Sequence, residues 1–189
     1  MIRKRVNTFL LIIKMIALVA CTTQRRPYQL YEMNHFTPDA GNDFVKRIQY
    51  LPGVYEISII DTKADGNEFE VNRQRIFLDS TQTDQPNYYS FKKRARELNL
   101  SPDSLFNCLK SFYKMGVNEF NIDTGYYRFQ VVTGLTTHKG YIFSSNRKLH
   151  PGDTLPATSV RNRSYHFNVV LTKQVAMNWF EYYEMPGRD

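Results

Sequence analysis

Apolar residues recur with helical spacing in the segment 101–115. The positions that match the i, i+3, i+4, i+7 spacing of a helix lying on a core are Leu105, Cys108, Leu109 and Phe112. Ser101 and Pro102 before this run are an N-cap and a favoured first helical residue, and Gly116 after it is a common helix stop. The pattern therefore predicts a helix over 101–115 with one buried face.

A similar arrangement occurs earlier in the chain, so the sequence contains an internal repeat over 37–80 and 101–133. Thr37-Pro38-Asp39 begins the first copy as Ser101-Pro102-Asp103 begins the second. Glycine and asparagine, which are poor helix formers, occupy positions 41 and 42. The first helix is therefore expected to begin only near Asp43.

In each copy the helix is followed by residues that alternate between apolar and polar with the period of a strand. In the first copy a strand over 55–59 is followed, after the turn signal Asp65-Gly66-Asn67, by a second strand over 69–78. In the second copy Asp123-Thr124-Gly125 forms the turn before a strand over 126–132. Further strand-like tracts follow at 140–144, 165–172 and 175–183.

These elements predict a single α+β domain over 37–189. Its duplicated helix-strand-strand units are expected to form a largely antiparallel sheet with the helices on one face. The content of 13 Tyr and 13 Phe suits a sheet more than a helical bundle. The plan resembles that of periplasmic or secreted inhibitor and assembly-factor domains, a likeness of architecture that carries no functional motif.

The first 21 residues follow a different pattern. A basic start leads into a mostly apolar run over 9–20, which ends in Leu18-Val19-Ala20-Cys21. This run of 12 residues is interrupted by Lys14, whereas about 20 apolar residues are needed to span a bilayer. The segment resembles the signal peptide and lipobox of bacterial lipoprotein precursors. The resemblance implies that residues 1–20 are removed and that Cys21 carries lipid; an uncleaved or ordinary signal is the alternative.

The same resemblance implies that the protein is located in the cell envelope. Lipid on Cys21 would anchor the protein to a membrane, and residues 21–36 are expected to form a polar tether. Thr22 and Thr23 stand where an aspartate often retains such proteins at the inner membrane. The expected location is therefore the periplasmic face of the outer membrane.

Charge argues against a nucleic-acid partner. The chain carries 25 basic and 18 acidic residues; without the four basic residues of the signal peptide 21 remain, and the net charge falls from +7 to +3. One dense basic cluster remains, Lys92, Lys93, Arg94 and Arg96. We interpret it as the solvated face of a short helix, with contact to anionic lipid headgroups as the alternative.

No metal, cofactor or nucleophile site is indicated. The histidines lack zinc-ligand spacing, and a calcium loop over 61–72 fails because Asn72 stands where a Glu is required. Asp123-Thr124-Gly125 matches aspartic proteases but fits a hairpin turn better. Cys108 has no disulfide partner once Cys21 carries lipid, and it is expected to be a buried core residue.

A candidate binding surface is predicted on the sheet face that the helices leave uncovered. Strand alternation over 126–132 places Tyr126 and Arg128 on one side, and over 165–172 it places His166 and Asn168 on the polar side. We expect these four residues to face outward as a recognition surface, since aromatic and arginine side chains often carry binding energy. An ordinary solvated sheet face is the alternative.

The sequence as a whole predicts a lipid-anchored envelope lipoprotein that acts as a non-catalytic binding or inhibitor-like module. Its expected partners are the membrane, through lipid on Cys21, and an envelope protein. Two alternatives remain. One is an outer-membrane assembly factor, and the other is an envelope hydrolase acting on cell-wall or glycan material, for which Glu56, Glu119 and Asp123 are the first carboxylates to examine.

Lipidation is tested by the substitution Cys21→Ser. The variant lacks the thiol that would receive the lipid, so labelling with a fatty-acid analogue should be lost, whereas Cys108→Ser should be labelled like the wild type. Continued labelling of the Cys21→Ser variant would contradict the lipobox interpretation.

Overall fold

The computed structural model describes residues 36–60, 66–79, 89–132, 138–145, 148–158 and 166–186. All of them belong to one unit of the chain, Glu32–Asp189. The predicted signal peptide, Cys21 and nearly all of the predicted tether lie outside the described residues. The described helices are α1 (Pro38–Ile48), α2 (Phe91–Glu97) and α3 (Pro102–Lys114). Among these described helices, none is long and apolar enough to cross a membrane.

Nine strands occur in the described part of the chain, and they form one sheet. In chain order they are β1 (Glu56–Ile59), β2 (Glu68–Val71), β3 (Gln74–Phe77), β4 (Glu119–Asp123), β5 (Tyr126–Val132), β6 (His138–Phe143), β7 (Thr154–Thr158), β8 (His166–Ala176) and β9 (Trp179–Pro186). Their spatial order is β3-β2-β1-β4-β5-β6-β9-β8-β7, and every neighbouring pair is antiparallel.

The predicted α+β class with duplicated helix-strand-strand units is wrong. The fold is predominantly β, a curled antiparallel sheet that forms a half-barrel. The long hairpin of β8 and β9 pairs with β6 and extends the sheet well beyond the strands that follow the helices. Because this pairing is non-local, it does not follow from the alternation within any one segment.

Several turns carry positive φ angles, and one of these turns was not predicted. The segment 69–78, predicted as one strand, is the hairpin of β2 and β3. Asn72 and Arg73 turn it with φ of 49° and 67°, and Asn72 Oδ1 accepts hydrogen bonds from the backbone N–H groups of residues 55 and 56. The turn predicted at Asp123-Thr124-Gly125 is confirmed, with Gly125 at φ 86°.

The helix predicted over 101–115 is confirmed as α3. Leu105, Leu109 and Phe112 are fully buried, and Phe112 packs on Phe44 of α1 with ring centroids 5.5 Å apart. Cys108 also lies in this core, as predicted, and burial raises the pKa of its thiol to about 12. The helices thus cover one face of the sheet, where Phe44 contacts Phe120 and Phe129.

The opposite face of the sheet is concave. Tyr126 on β5 donates a hydrogen bond from its hydroxyl to the carbonyl oxygen of Pro156 on β7, at 2.7 Å. Four strand spacings separate β5 from β7, which would be about 19 Å in a flat sheet. The sheet therefore curls toward this side, which we call the inner face. A second apolar cluster fills part of it: Tyr126, Ile142, Leu149, Leu155, Ala157, Phe167, Val169, Leu171, Phe180 and Tyr182.

Helix α1 begins earlier than the sequence predicts. It starts at Pro38, and Thr37 caps it by accepting a hydrogen bond from the N–H of Ala40 at 3.3 Å. Gly41 lies against the indole ring of Trp179, where a Cβ atom would overlap the ring. The indole N–H donates to Asn42 Oδ1 at 2.8 Å. Gly41 and Asn42, both of low helix propensity, therefore make the contacts that pack α1 against β9.

Substitution Gly41→Ala tests this docking. In an open helix it would stabilise the protein by up to about 1 kcal/mol, but here the methyl group must displace the indole ring. We expect a net loss of about 1 to 2 kcal/mol in the free energy of unfolding, measured by urea denaturation. Asn107→Ala, at an exposed position of α3, is the control and should be neutral or slightly stabilising. A stabilised Gly41→Ala variant would contradict the close contact.

Candidate binding site on the inner face

Arg128 is a buried cation on the inner face, with 1% of its surface exposed. Its Nε atom donates to Asp123 Oδ2 at 2.8 Å, and its Nη1 atom lies 3.4 Å from Glu184 Oε1. Its guanidinium also stacks over the ring of Phe167 at 5.1 Å. The cation is thus held by two carboxylates and one aromatic ring from three strands.

The electrostatics of this contact favour the charged guanidinium. Burial alone would lower the pKa of Arg128, but Tyr182 and Asp123 more than offset that effect, and the pKa lies above its ordinary value. Burial likewise raises the pKa of the Tyr182 hydroxyl, although Arg128 acts in the opposite direction. The guanidinium is therefore held in its charged form, and its neighbours have to neutralise it.

A glycine lies beside this arrangement. Gly140 on β6 lies between Gln130 on β5 and Tyr182 on β9. A Cβ atom at this position would overlap the carbonyl oxygen of Phe129, so the close approach of the β5 and β6 backbones requires glycine here.

Further polar side chains of the inner face pair with one another. Asn121 donates from its amide nitrogen to Glu119 Oε1 at 2.8 Å. Gln130 and His138 are joined by a contact of 2.5 Å between Nε2 and Nδ1. Together with Asp123 and Glu184 these residues form what we call the Arg128 cluster: Glu119, Asn121, Asp123, Arg128, Gln130, His138, Tyr182 and Glu184.

Glu184 differs from an ordinary surface carboxylate. Burial raises its pKa; Arg128 and His138 partly offset this effect, whereas Glu119 and Asp123 add to it. The carboxyl group therefore holds its proton to higher pH than it would in the unfolded chain. Three carboxylates share one arginine here, so the cluster has an acidic surplus.

A small pocket lies at the hairpin end of the cluster. Its volume is about 160 Å³, and its lining includes Asp123, Tyr126, Ile122 and Phe143. Asp123 belongs to both the pocket and the Arg128 cluster. A ligand in the pocket would therefore lie next to the charged cluster.

The expectation that Tyr126 and Arg128 face outward is wrong. They are 4% and 1% exposed and lie inside the curl of the sheet. Alternation does place them opposite Tyr127 and Phe129, as predicted, but both sides of β5 are covered: one by the helices and the other by the curled strands. Alternation of side chains along a strand assigns residues to its two faces, but it does not show which face is exposed to solvent.

Asn168 lies on the other side of the sheet. It pairs in register with Pro156 and Met185, is half-buried, and faces away from Phe167 and Arg128. His166 belongs to β8, but its side chain is outside the described residues. The structure therefore does not bring Asn168 together with Tyr126 and Arg128, and the binding roles of all four residues remain predictions.

Other members of the cluster were missed or only partly found. Glu184, Gln130, His138 and Tyr182 received no functional interpretation from the sequence. The period of two through β9 places Tyr182 and Glu184 on one face, but the arginine that they meet is more than 50 residues away. In contrast, Glu56, Glu119 and Asp123, named as hydrolase candidates, do lie on the same face of β1 and β4.

Comparison with known proteins adds no assignment. No family model, no curated protein and no solved structure matches the chain. Among the described residues, no group of three or more His, Cys, Asp or Glu side chains is arranged to hold a metal ion.

Glu184→Gln tests the electrostatics of the cluster. Because the folded pKa of Glu184 is raised, its contribution to stability is fully present below the unfolded pKa of about 4.3 and is lost as pH rises through the folded value. The variant should therefore lose less stability than the wild type between about pH 4 and pH 7, measured by urea denaturation at several pH values. Glu97→Gln should shift the dependence the other way, because hydrogen bonding from Tyr89 lowers the pKa of Glu97. An unchanged pH dependence in Glu184→Gln would contradict the raised pKa.

Proposed function

We propose that the protein is a lipid-anchored lipoprotein of the cell envelope whose curled sheet binds a ligand on its inner face without catalysing a reaction. The observation that carries this proposal is the Arg128 cluster with the pocket beside it. The side chains of Asp123 and Glu184 are 11% and 12% exposed, so a ligand can contact both carboxylates. The residues around them are buried and polar, although apolar residues at these positions would stabilise the fold more. Polar groups placed in this way fix the orientation of a ligand.

The pairing within the cluster favours binding over catalysis. Asp123 and Glu184 both contact the guanidinium of Arg128, and Glu119 accepts from Asn121. Carboxylates that neutralise a buried cation are poorly placed to exchange protons with a substrate, because giving up the charge would leave Arg128 unpaired. The lipid anchor rests on Leu18-Val19-Ala20-Cys21, and the periplasmic face of the outer membrane is the proposed location.

A second candidate, an envelope hydrolase, is favoured by one observation. Glu184 has a raised pKa, and it and Asp123 both contact Arg128; glycan hydrolysis uses two carboxyl groups, one of which donates a proton. Release of soluble fragments from purified cell wall, abolished by Glu184→Gln, would favour this candidate over a binding module.

Site-specific photo-crosslinking in intact cells tests the proposed function. A photoreactive phenylalanine at Ile122, which lines the pocket and is 43% exposed, should form crosslinks to an envelope component. The same residue at Tyr50, which is 83% exposed and outside the pocket lining, is the matched control and should give none or different products. Identical products from both positions, or none from position 122, would contradict a binding site at this pocket.

A further inference from the structure

Buried polar atoms on neighbouring strands of the inner face lack a hydrogen-bond partner in the described part of the chain, among them Asn121 Oδ1 and Ser58 Oγ. Asn121 and Ser58 are 0% and 2% exposed. Buried polar atoms are nearly always hydrogen-bonded in folded proteins, so two such atoms on neighbouring strands point to a group that the protein chain does not supply.

The two atoms lie beside one acidic residue. Ser58 on β1 is the register partner of Glu119 on β4, so both side chains are on the inner face. The amide nitrogen of Asn121 is already used by Glu119, which leaves only its oxygen, and an amide oxygen can only accept. A group that satisfies Asn121 must therefore be a donor, and the Ser58 hydroxyl, which can donate or accept, is compatible with it.

The charge of the surroundings indicates what kind of donor fits. Glu119, Asp123 and Glu184 face a single arginine, and Arg128 is already held by two of these carboxylates. A further positive charge would balance the acidic surplus, whereas an anion would be repelled. An ammonium group is compact and carries three donors, which matches the amide oxygen, the hydroxyl and the carboxylate available here.

We propose that the inner face binds the ammonium group of an alkylamine at Ser58, Asn121 and Glu119, with its chain extending toward the pocket at Asp123. This inference rests on the proposed function and specifies its ligand class. Asn121 and Asp123 are two residues apart on β4, a distance of about 7 Å along the strand. The inner-face lining of the pocket includes Tyr126, whose ring suits methylene groups. The amine comes either from a free small molecule or from a lysine side chain of an envelope protein.

Butylamine, which is protonated at neutral pH, is the probe for this site, and 1-butanol is the uncharged control. Titration calorimetry and side-chain amide NMR of the processed full-length protein should show that butylamine binds and shifts the Asn121 amide signals, whereas 1-butanol does neither. Equal effects of both compounds, or shifts confined to other asparagines, would overturn the proposal.

Two variants show whether the orphan atoms are responsible. Ser58→Ala removes a hydroxyl that makes no hydrogen bond within the described chain, so the thermal midpoint should be unchanged while butylamine affinity falls about tenfold or more. Ser104→Ala, at an exposed position of α3, is the matched control and should bind as the wild type does. A Ser58→Ala variant with wild-type affinity would overturn the proposal. Asn121→Leu serves as a second probe if it folds.

The source of the amine is distinguished with two further ligands. A short peptide containing one lysine should compete with butylamine if the source is a protein, and the same peptide with an acetylated lysine should not. Competition by butylamine alone would assign the site to free amines. Crosslinks at Ile122 without any amine binding would refute this inference and leave the proposed function intact, whereas the absence of both would contradict the two proposals together.

Discussion

The guanidinium of Arg128 has to be neutralised where it lies, and much of the inner face follows from that requirement. A buried cation is tolerated only with close counter-charges, and removing one partner typically costs about 3 to 5 kcal/mol. Asp123 comes from the strand next to Arg128, but Glu184 comes from β9, two strand positions beyond β5. Arg128 therefore reaches across β6 and joins β4, β5 and β9 through its two ion pairs.

The two faces of the sheet have different roles as a result. The face under α1 and α3 is a dense aromatic core in which Phe44 and Trp179 dock the helices. The inner face has an apolar cluster toward β7 and β8 and becomes polar toward β4 and β1. Buried polar groups in this second region lower the stability that an apolar core would supply, and we attribute their presence to ligand binding.

Local patterns predicted individual elements but not how they assemble. The helix over 101–115 and the turn at Asp123-Thr124-Gly125 depend on residues adjacent in sequence, and both were predicted. The predicted start of α1 was wrong because it was based on helix propensity. Gly41 is needed for the close contact with Trp179, which is more than 130 residues away in the sequence. The fold class and the placement of Arg128 failed for the same reason: neither the pairing of β6 with β9 nor the covered side of β5 is encoded in a short window. Glu119 and Asp123 were named from the sequence only as carboxylates to examine, and the structure places both on one face of β4, whereas Glu184 needed the tertiary structure.

The account depends most directly on the curl that closes the inner face, and NMR can measure it. In the curled sheet the hydroxyl of Tyr126 reaches the carbonyl of Pro156, so nuclear Overhauser effects are expected between the Tyr126 ring and the residues around Pro156 on β7. The ring of Phe167 should likewise show contacts to the Arg128 side chain. In an open sheet β5 and β7 would be about 19 Å apart, and these signals would be absent. Their absence in the folded protein would contradict the half-barrel and the binding site built on it.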